Sequence, residues 1–356
     1  MNGIEGLGPA PASVEGLSPT PVDGFSPTPV DGFGPTPVDG CGPIPGSGIG
    51  PIPVDGFGPI SVDGVGPAPD SGFGTTPWEL LRGAKQVGFV FSGGGFRCAF
   101  QIGVVEALDE MGIRPCLCTA VSAGAWNAAA VAVGNQRGMR RYWRTFMRMP
   151  HVDVTNLLRE HSPFIFNEIH RRTFARYVGS DRLRSPRALP LLIGATRLWD
   201  RQFVVFDARE MENPLQLMLA TNYLPPYYSH PPRLDGEIYV DGCWGNNLPY
   251  EAAFAAGCDA VVLMTMKAES EGRIHRNPRD PEHVIPSPYD RRVVVVRPRH
   301  RLPLGLIENN WPRMVEIIEL GRRRTLEVLS AEHPAIDERF PVPLGPSRSG
   351  SSAVQV

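Results

Sequence analysis

The sequence predicts an α/β domain with a mostly parallel central sheet, set behind a long arm without regular structure. Between residues 86 and 134, apolar runs of strand length alternate with periodic runs of helix length. That is the pattern of parallel strands joined by crossover helices. Continuous apolar runs return at 260–266 and 293–298, as strands buried on both faces require. Ahead of all this, residues 1–77 contain 18 Gly and 16 Pro, above the roughly 25–30% that marks low-complexity chain.

The arm is periodic. From residue 14 an octapeptide repeats as VEGLSPTP, VDGFSPTP, VDGFGPTP, VDGCGPIP, a degenerate GSGIGPIP, VDGFGPIS and VDGVGPAP, and IEGLGPAP at residue 4 is an offset copy. The prolines fix φ and remove donors, and the glycines multiply backbone states, so neither helix nor sheet propagates. Eight residues are also fewer than the usual solenoid unit needs. The arm reads as a disordered, partly polyproline II tether. The alternative is a docking peptide that presents Phe25, Phe33 and Phe57. A near-perfect short period is also what a replicated coding tract leaves with no selected role.

The globular part begins near Trp78 and is expected to span 78–333, with 334–356 a disordered tail. The run 86-QVGFVFS-92 is a short buried strand ending at glycines. Helical spacing follows over 96–112, where Gly112 is a C-terminal stop. A second buried strand, 115-PCLCTAV-121, leads into a small-residue helix over 123–134. Further on, 202–206 reads as strand and 214–223 as helix. The stretch 233–242 is a hairpin that turns at Asp235–Gly236. Helix is expected at 249–257, strand at 260–266, polar loop at 268–290, strand at 293–298 and a closing helix at 311–330.

Charge and cysteine usage bound the function. All 35 Lys and Arg lie beyond residue 77, together with 29 of the 37 acidic groups. The domain is therefore mildly basic, far from the density that argues for nucleic acid. No apolar run reaches the length of a membrane span, and the N-terminus lacks the layout of a signal peptide. A cytoplasmic protein, with peripheral membrane contact as an option, is the expectation. The six cysteines form no CxxC pair and no zinc spacing, so no metal is expected. Cys116 and Cys118, two apart in a strand, are expected to share one face as buried free thiols.

Three stretches carry chemistry. In the first, strand turns into helix at Ser122 within 120-AVSAG-124. A strained strand-to-helix turn of this kind lifts a serine hydroxyl clear of a sheet, and small neighbours let the backbones cross. The plain alternative is a tight turn. In the second, 92-SGGGFRC-98, three glycines leave a strand and enter a helix. Their amides can converge on an anion, either a phosphate or the oxyanion of an acyl intermediate. A dinucleotide fingerprint wants glycine where Cys98 stands, and Arg97 takes the basic slot without a Walker pattern. The third is 240-VDGCWGNNLP-249, in which Asp241 follows a strand at a sheet edge. Alone it is a turn. Near a serine, a buried aspartate gains basicity.

Together and in this order, these stretches resemble the patatin-like phospholipase family. That family has a G-G-G-x-R-G loop, a G-x-S-x-G elbow and a later D-G-[GA]. The matching residues are Gly93, Gly94, Gly95 and Arg97, then Ser122 and Gly124, then Asp241 and Gly242, followed by Asn246, Asn247 and Pro249. The resemblance covers about 86–330. It implies a three-layer α/β/α fold and a Ser122–Asp241 dyad without histidine. It also implies an oxyanion hole from the Gly93–Gly95 amides, and lipid acyl hydrolysis, of the phospholipase A or carboxylic ester hydrolase kind, without a cofactor. Cys98, Ala120 and Cys243 depart from the family pattern, each small for small. The stretch 216–232 looks like a further family segment, with Thr221 where serine is usual, and no catalytic task is assigned to it.

Other readings compete. The run 137-RGMRRYWRTFMRM-149 places arginines and aromatics at helical spacing. It is either a basic amphipathic helix touching anionic lipid or a solvated face over packed core. A histidine triad would need His283 or His300, and no local motif marks either. Two non-hydrolase functions also fit: a catalytically weak lipid- or partner-binding protein using the repeat arm, and a nucleotide binder using 92–96. Deletion of 1–77 separates enzyme from arm-driven binder. Turnover of a small soluble ester should stay within about twofold of full length, a change of roughly 0.4 kcal/mol, whereas an arm-driven binder would lose its partner.

Overall fold

A computed structural model describes residues 52–54, 76–160, 162–272, 285 and 289–330. The expectations for most of the 1–77 arm, for the 334–356 tail, for much of the 268–290 loop, and for Cys41 and His283 fall outside those residues.

The first described helix starts where Thr76 and Glu79 cap each other. Thr76 Oγ1 accepts from the Glu79 amide, and Glu79 Oε2 from the Thr76 amide. This capping box, with Pro77 in the first turn, starts helix α1 (Pro77–Gly83). Strand β2 (Val87–Phe91) follows, then a 3₁₀ turn (Gly95–Cys98), helix α2 (Ala99–Glu110), strand β3 (Leu117–Val121) and helix α3 (Gly124–Ala132). Next come helices α4 (Met139–Arg148), α5 (Asn156–Glu160), α6 (Phe166–Tyr177) and α7 (Ser180–Leu183). Strands β4 (Leu191–Arg197) and β5 (Phe203–Asp207) lead to helix α8 (Pro214–Thr221) and the hairpin β6 (Arg233–Leu234) and β7 (Glu237–Val240). Helix α9 (Tyr250–Ala255), strands β8 (Ala260–Met264) and β9 (Val293–Val296), and helix α10 (Trp311–Ser330) complete it.

The sheet runs β5-β4-β3-β2-β8-β9, with the three-residue strand β1 (Ile52–Val54) beyond β5. The five strands from β4 to β9 pair in parallel. Strands β5 and β1 add on antiparallel, and β7 pairs antiparallel with the far end of β4 at Thr196–Val240. Strand β1 is the described part of the arm that precedes Thr76. Its proline is tolerable because an edge strand forgoes a ladder bond at little cost.

Side chains from the two sheet faces form separate cores. Phe89, Phe91, Cys118 and Ile193 pack with α2, α3, α4, α6, α8 and α10. Val90, Leu117, Val121 and Leu192 pack with α9 and Tyr289. The architecture is thus α/β/α with unequal layers. Cys116 and Cys118 do not share a face: Cys118 lies in the first core and Cys116 in the second, 3.8 Å from the Cys258 sulfur. The reason is that β3 begins at Leu117, so Cys116 precedes the strand and escapes its alternation. The described cysteines are all free, and four of the five are buried.

Strand β4 lay outside the sequence expectation, as did α5, α6 and α7. The helix expected over 137–149 forms as α4. It buries Met139, Tyr142, Trp143, Phe146 and Met147, so its aromatics belong to the core rather than to a membrane-facing stripe.

Helices α2 and α10 cross with backbones in contact. A methyl group on Gly103 would stand 1.8 Å from the Ile318 carbonyl, and one on Gly321 would stand 2.0 Å from the Phe100 carbonyl. Gly321→Val should therefore force the two helices apart and cost about 3 kcal/mol or more. Chemical denaturation read by circular dichroism measures this, and an unshifted midpoint would contradict the crossing.

Candidate active site

Ser122 follows the last residue of β3, and its backbone sits at φ +52°. A residue with a Cβ avoids this region at a cost of about 1–3 kcal/mol, so the surroundings must hold it there. The Ser122 amide donates to Thr221 Oγ1 at 2.8 Å, and Thr221 Oγ1 donates in turn to the Gly194 carbonyl at 2.6 Å. Asn222 Nδ2 donates to the Ser122 carbonyl at 3.1 Å, and the Ala125 amide does so at 2.9 Å. Helix α3 leaves the turn against the end of β2, where a methyl on Gly124 would come within 2.4 Å of the Ser92 carbonyl.

Asp241 follows β7 and opens a 3₁₀ turn (Gly242–Trp244). Its Oδ1 accepts from the Cys243 amide at 2.9 Å, and its Oδ2 accepts from Ser122 Oγ at 2.7 Å. The β4–β7 pairing brings this edge to the serine. A side chain on Gly242 would meet the Gly194 carbonyl at 2.4 Å, so glycine is what lets the turn sit that close. Thr196 Oγ1 fixes the Asp241 carbonyl at 3.0 Å. Ser122 and Asp241 are 7% and 6% exposed. Burial pushes the Asp241 carboxyl up to about 6, while the bonds from Ser122 and Cys243 oppose the rise.

The glycine loop lies directly against the serine. A methyl on Gly93 would stand 2.7 Å from Ser122 Cβ and 2.3 Å from Cys243 Sγ. The Gly93 amide donates to Asn247 Oδ1 at 2.7 Å, and the Phe96 amide to the Leu306 carbonyl at 2.9 Å. Among the described residues, the amides of Gly94 and Gly95 have no acceptor. Arg97 Nε donates to the Gly94 carbonyl at 3.2 Å. Because the peptide is planar and trans, this bond also fixes where the Gly95 N–H points.

The sequence comparisons meet this geometry. Residues 89–254 match the family described as patatin-like phospholipase. That match shows a patatin-like phospholipase region over residues 89–254. Mouse patatin-like phospholipase domain-containing protein 5 is 26% identical over 175 residues, covering 45% of this chain and 38% of that protein. The human domain-containing protein 6 is 25% identical over 190 residues, 52% of this chain and 14% of that one. The chain thus spans well under half of the curated relatives it matches. Among solved structures, VipD from Legionella pneumophila is similar with a TM-score of 0.45 and 13% identity, over 69% of this chain and 67% of that chain.

The three stretches singled out in the sequence converge on one cavity of about 310 Å³, lined by Ser122, Asp241 and the Gly93–Arg97 loop. Its walls are largely apolar, including Phe96, Trp126, Trp143, Phe166, Leu224 and Ile307. His170 also lines it. The ring stacks on Trp126 at 4.1 Å, and its nitrogens bond to the Tyr142 and Tyr228 hydroxyls at 2.9 and 3.0 Å. Burial holds it well below the ordinary histidine range, so it is a neutral wall residue. His300 is exposed. Thr221 and Asn222, which brace the serine backbone, were not assigned that task from sequence. The signal was the Thr-Asn pair inside the 216–232 segment.

The raised Asp241 carboxyl has a consequence for stability. Its folded value exceeds the ordinary 3.8, so its contribution is fully present below about 3.8 and lost as pH rises through about 6. Asp241→Asn removes the buried charge. The variant should melt above the wild type at pH 8, by up to about 3 kcal/mol, and the difference should vanish near pH 4. Calorimetry at the two pH values tests this, and a variant less stable at pH 8 would contradict it.

Proposed function

We propose that the protein hydrolyses acyl esters of lipids, with Ser122 as nucleophile and Asp241 as base. The observation that carries the reading is the direct 2.7 Å bond from Ser122 Oγ to Asp241 Oδ2. The family match over residues 89–254 supports lipid substrates, and the apolar cavity supports an acyl chain beside the serine.

Ser122 Oγ attacks the ester carbonyl carbon while its proton passes to Asp241 Oδ2. A carboxyl raised to about 6 is a stronger base than an exposed one and is still ionised at neutral pH. The carbonyl oxygen becomes an oxyanion, and the free amides of Gly94 and Gly95 stabilise it. The Gly93 amide joins them only if it leaves Asn247. Collapse breaks the bond to the alcohol oxygen, which takes the proton from Asp241. Water then gives a proton to Asp241 and attacks the acyl-serine carbonyl; as the bond to Ser122 Oγ breaks, Asp241 returns that proton to Oγ and the fatty acid leaves. Arg97 is a positioning residue for the amides. Gly124 and Gly242 allow the two turns to meet. No cofactor enters this scheme.

Fluorophosphonate labelling reads the activated serine directly. Wild type should label, and Ser122→Ala and Asp241→Asn should not, with Ser122→Ala still folded by circular dichroism. Hydrolysis of a soluble ester should fall as pH drops through about 6, where Asp241 protonates and can no longer accept the serine proton. Full labelling of Ser122→Ala would remove the dyad reading.

A further inference from the structure

Of the eight large hydrophobic side chains exposed among the described residues, four lie in the 152–158 segment, Trp244 and Leu306 lie at the cavity, and Leu198 and Trp199 lie in the β4–β5 connection. Val152, Val154, Leu157 and Leu158 are 52%, 74%, 51% and 87% exposed. Trp244 and Leu306, both exposed, line the cavity itself. The 152–158 segment is tied to the same wall. Val152 forms an antiparallel bridge with Phe164, whose ring packs on Tyr227 at 5.0 Å. His151 lies 5.7 Å from the Phe96 ring and 5.3 Å from the Phe166 ring. Tyr227, Phe96 and Phe166 all line the cavity. Asn309 Nδ2 donates to the Met147 carbonyl at 3.0 Å, joining the Leu306 loop to the end of α4. Contiguous exposed apolar surface of this kind marks interaction sites.

Charge identifies what covers it. Helix α4 runs straight into the segment. Its Arg140 is spent on Glu106 and Glu319. Arg141, Arg144 and Arg148 form an exposed stripe, and none has a carboxylate partner among the described residues. Asp153 is the acidic group of the apolar segment, and its Oδ1 accepts from the Thr155 amide and hydroxyl. Unpaired cations beside protruding leucines fit an anionic headgroup layer over an acyl layer. The third feature, a cavity whose wall residues Phe96, Phe166 and Tyr227 pack against His151 and Phe164 beside this segment, fits a substrate drawn from that layer. Among the described residues no helix is long and apolar enough to cross a membrane, so such contact lies at the surface.

We propose that the Val152–Leu158 segment and the Arg141, Arg144 and Arg148 stripe dock the protein on an anionic lipid bilayer with the cavity mouth facing it. The orientation rests on the lipid hydrolase reading above; the docking surface itself does not.

The test is flotation of the full chain carrying Ser122→Ala with vesicles, so that binding is read without turnover. Vesicles of phosphatidylcholine with 30%, a test composition of about one anionic lipid in three, phosphatidylglycerol should carry it, and pure phosphatidylcholine should carry much less. Adding Leu157→Asp and Leu158→Asp should lower partitioning by about tenfold or more. Arg141→Gln, Arg144→Gln and Arg148→Gln together should remove the preference for anionic vesicles, by about fivefold per arginine. In an otherwise wild-type chain, the leucine pair should leave the melting temperature and soluble-ester hydrolysis unchanged. Should the leucine variant unfold, the arginine variant carries the test alone. Undiminished flotation of both variants, or no flotation of the parent chain, overturns the proposal. So does a leucine-dependent change in oligomeric state without vesicles, which would assign the surface to protein. Flotation of a wild-type chain that hydrolyses no ester would leave docking intact and remove the hydrolase reading.

Discussion

The left-handed backbone at Ser122 is the constraint around which the rest of the site is arranged. A φ of +52° is unfavourable for serine, and it persists because four hydrogen bonds or contacts leave no alternative. Thr221 holds the amide, Asn222 and Ala125 hold the carbonyl, and β2 blocks the space beyond Gly124. Strain held by surrounding structure is characteristic of functional positions. What the strain achieves is placement. The hydroxyl leaves the sheet at the one point where the β7 edge can present Asp241 to it. The sheet topology, the α8 terminus and the 3₁₀ turn after Asp241 all meet at this residue.

Much of this was legible in the sequence, and the parts that were not share a cause. Buried parallel strands such as β2, β3 and β8 announce themselves as continuous apolar runs. The Asp235–Gly236 turn announces itself by its residue types, and both residues do adopt positive φ. Strand β4 does not announce itself. Its sequence LLIGATR holds Gly194 at the centre, a poor strand former. Gly194 is there because a methyl would strike the Phe203 ring at 2.1 Å, and its carbonyl anchors Thr221. The site's own demands thus erased the local signal of the strand that supports it. The glycine loop was legible as a strand-to-helix turn, but not which of its amides find acceptors. That Asn247 takes the Gly93 amide depends on a residue 154 positions away, which no local pattern encodes.

The electrostatics are deliberately unbalanced. Among the described residues Asp241 is buried without a cationic partner, and it accepts from a hydroxyl and one backbone amide. A lysine or arginine beside it would hold the carboxyl lower. The nearest positive group in the cavity wall, Arg97, is turned to the Gly94 carbonyl instead. The fold therefore bears a poorly compensated charge in the cavity wall, while some surface charges are paired, as in Arg140 with Glu106.

The three departures from the family pattern are absorbed in ways that fit this economy. Cys98 is fully buried, and its thiol donates to the Ser92 carbonyl at 3.5 Å, beside the stronger bond from Gln101 at 2.8 Å. Its side chain thus braces the start of the glycine loop from within. Cys243 brings a bulkier group to the crowded face of Gly93, yet its thiol donates to Asn247 Oδ1 at 2.9 Å. The same oxygen receives the Gly93 amide, so the extra side chain is tied to the residue that positions the loop. Ala120 is fully buried in β3, two residues before the turn, and the left-handed conformation at Ser122 forms with its methyl in place. A small side chain at each position thus changes which groups secure the loop and elbow without moving the serine from the aspartate.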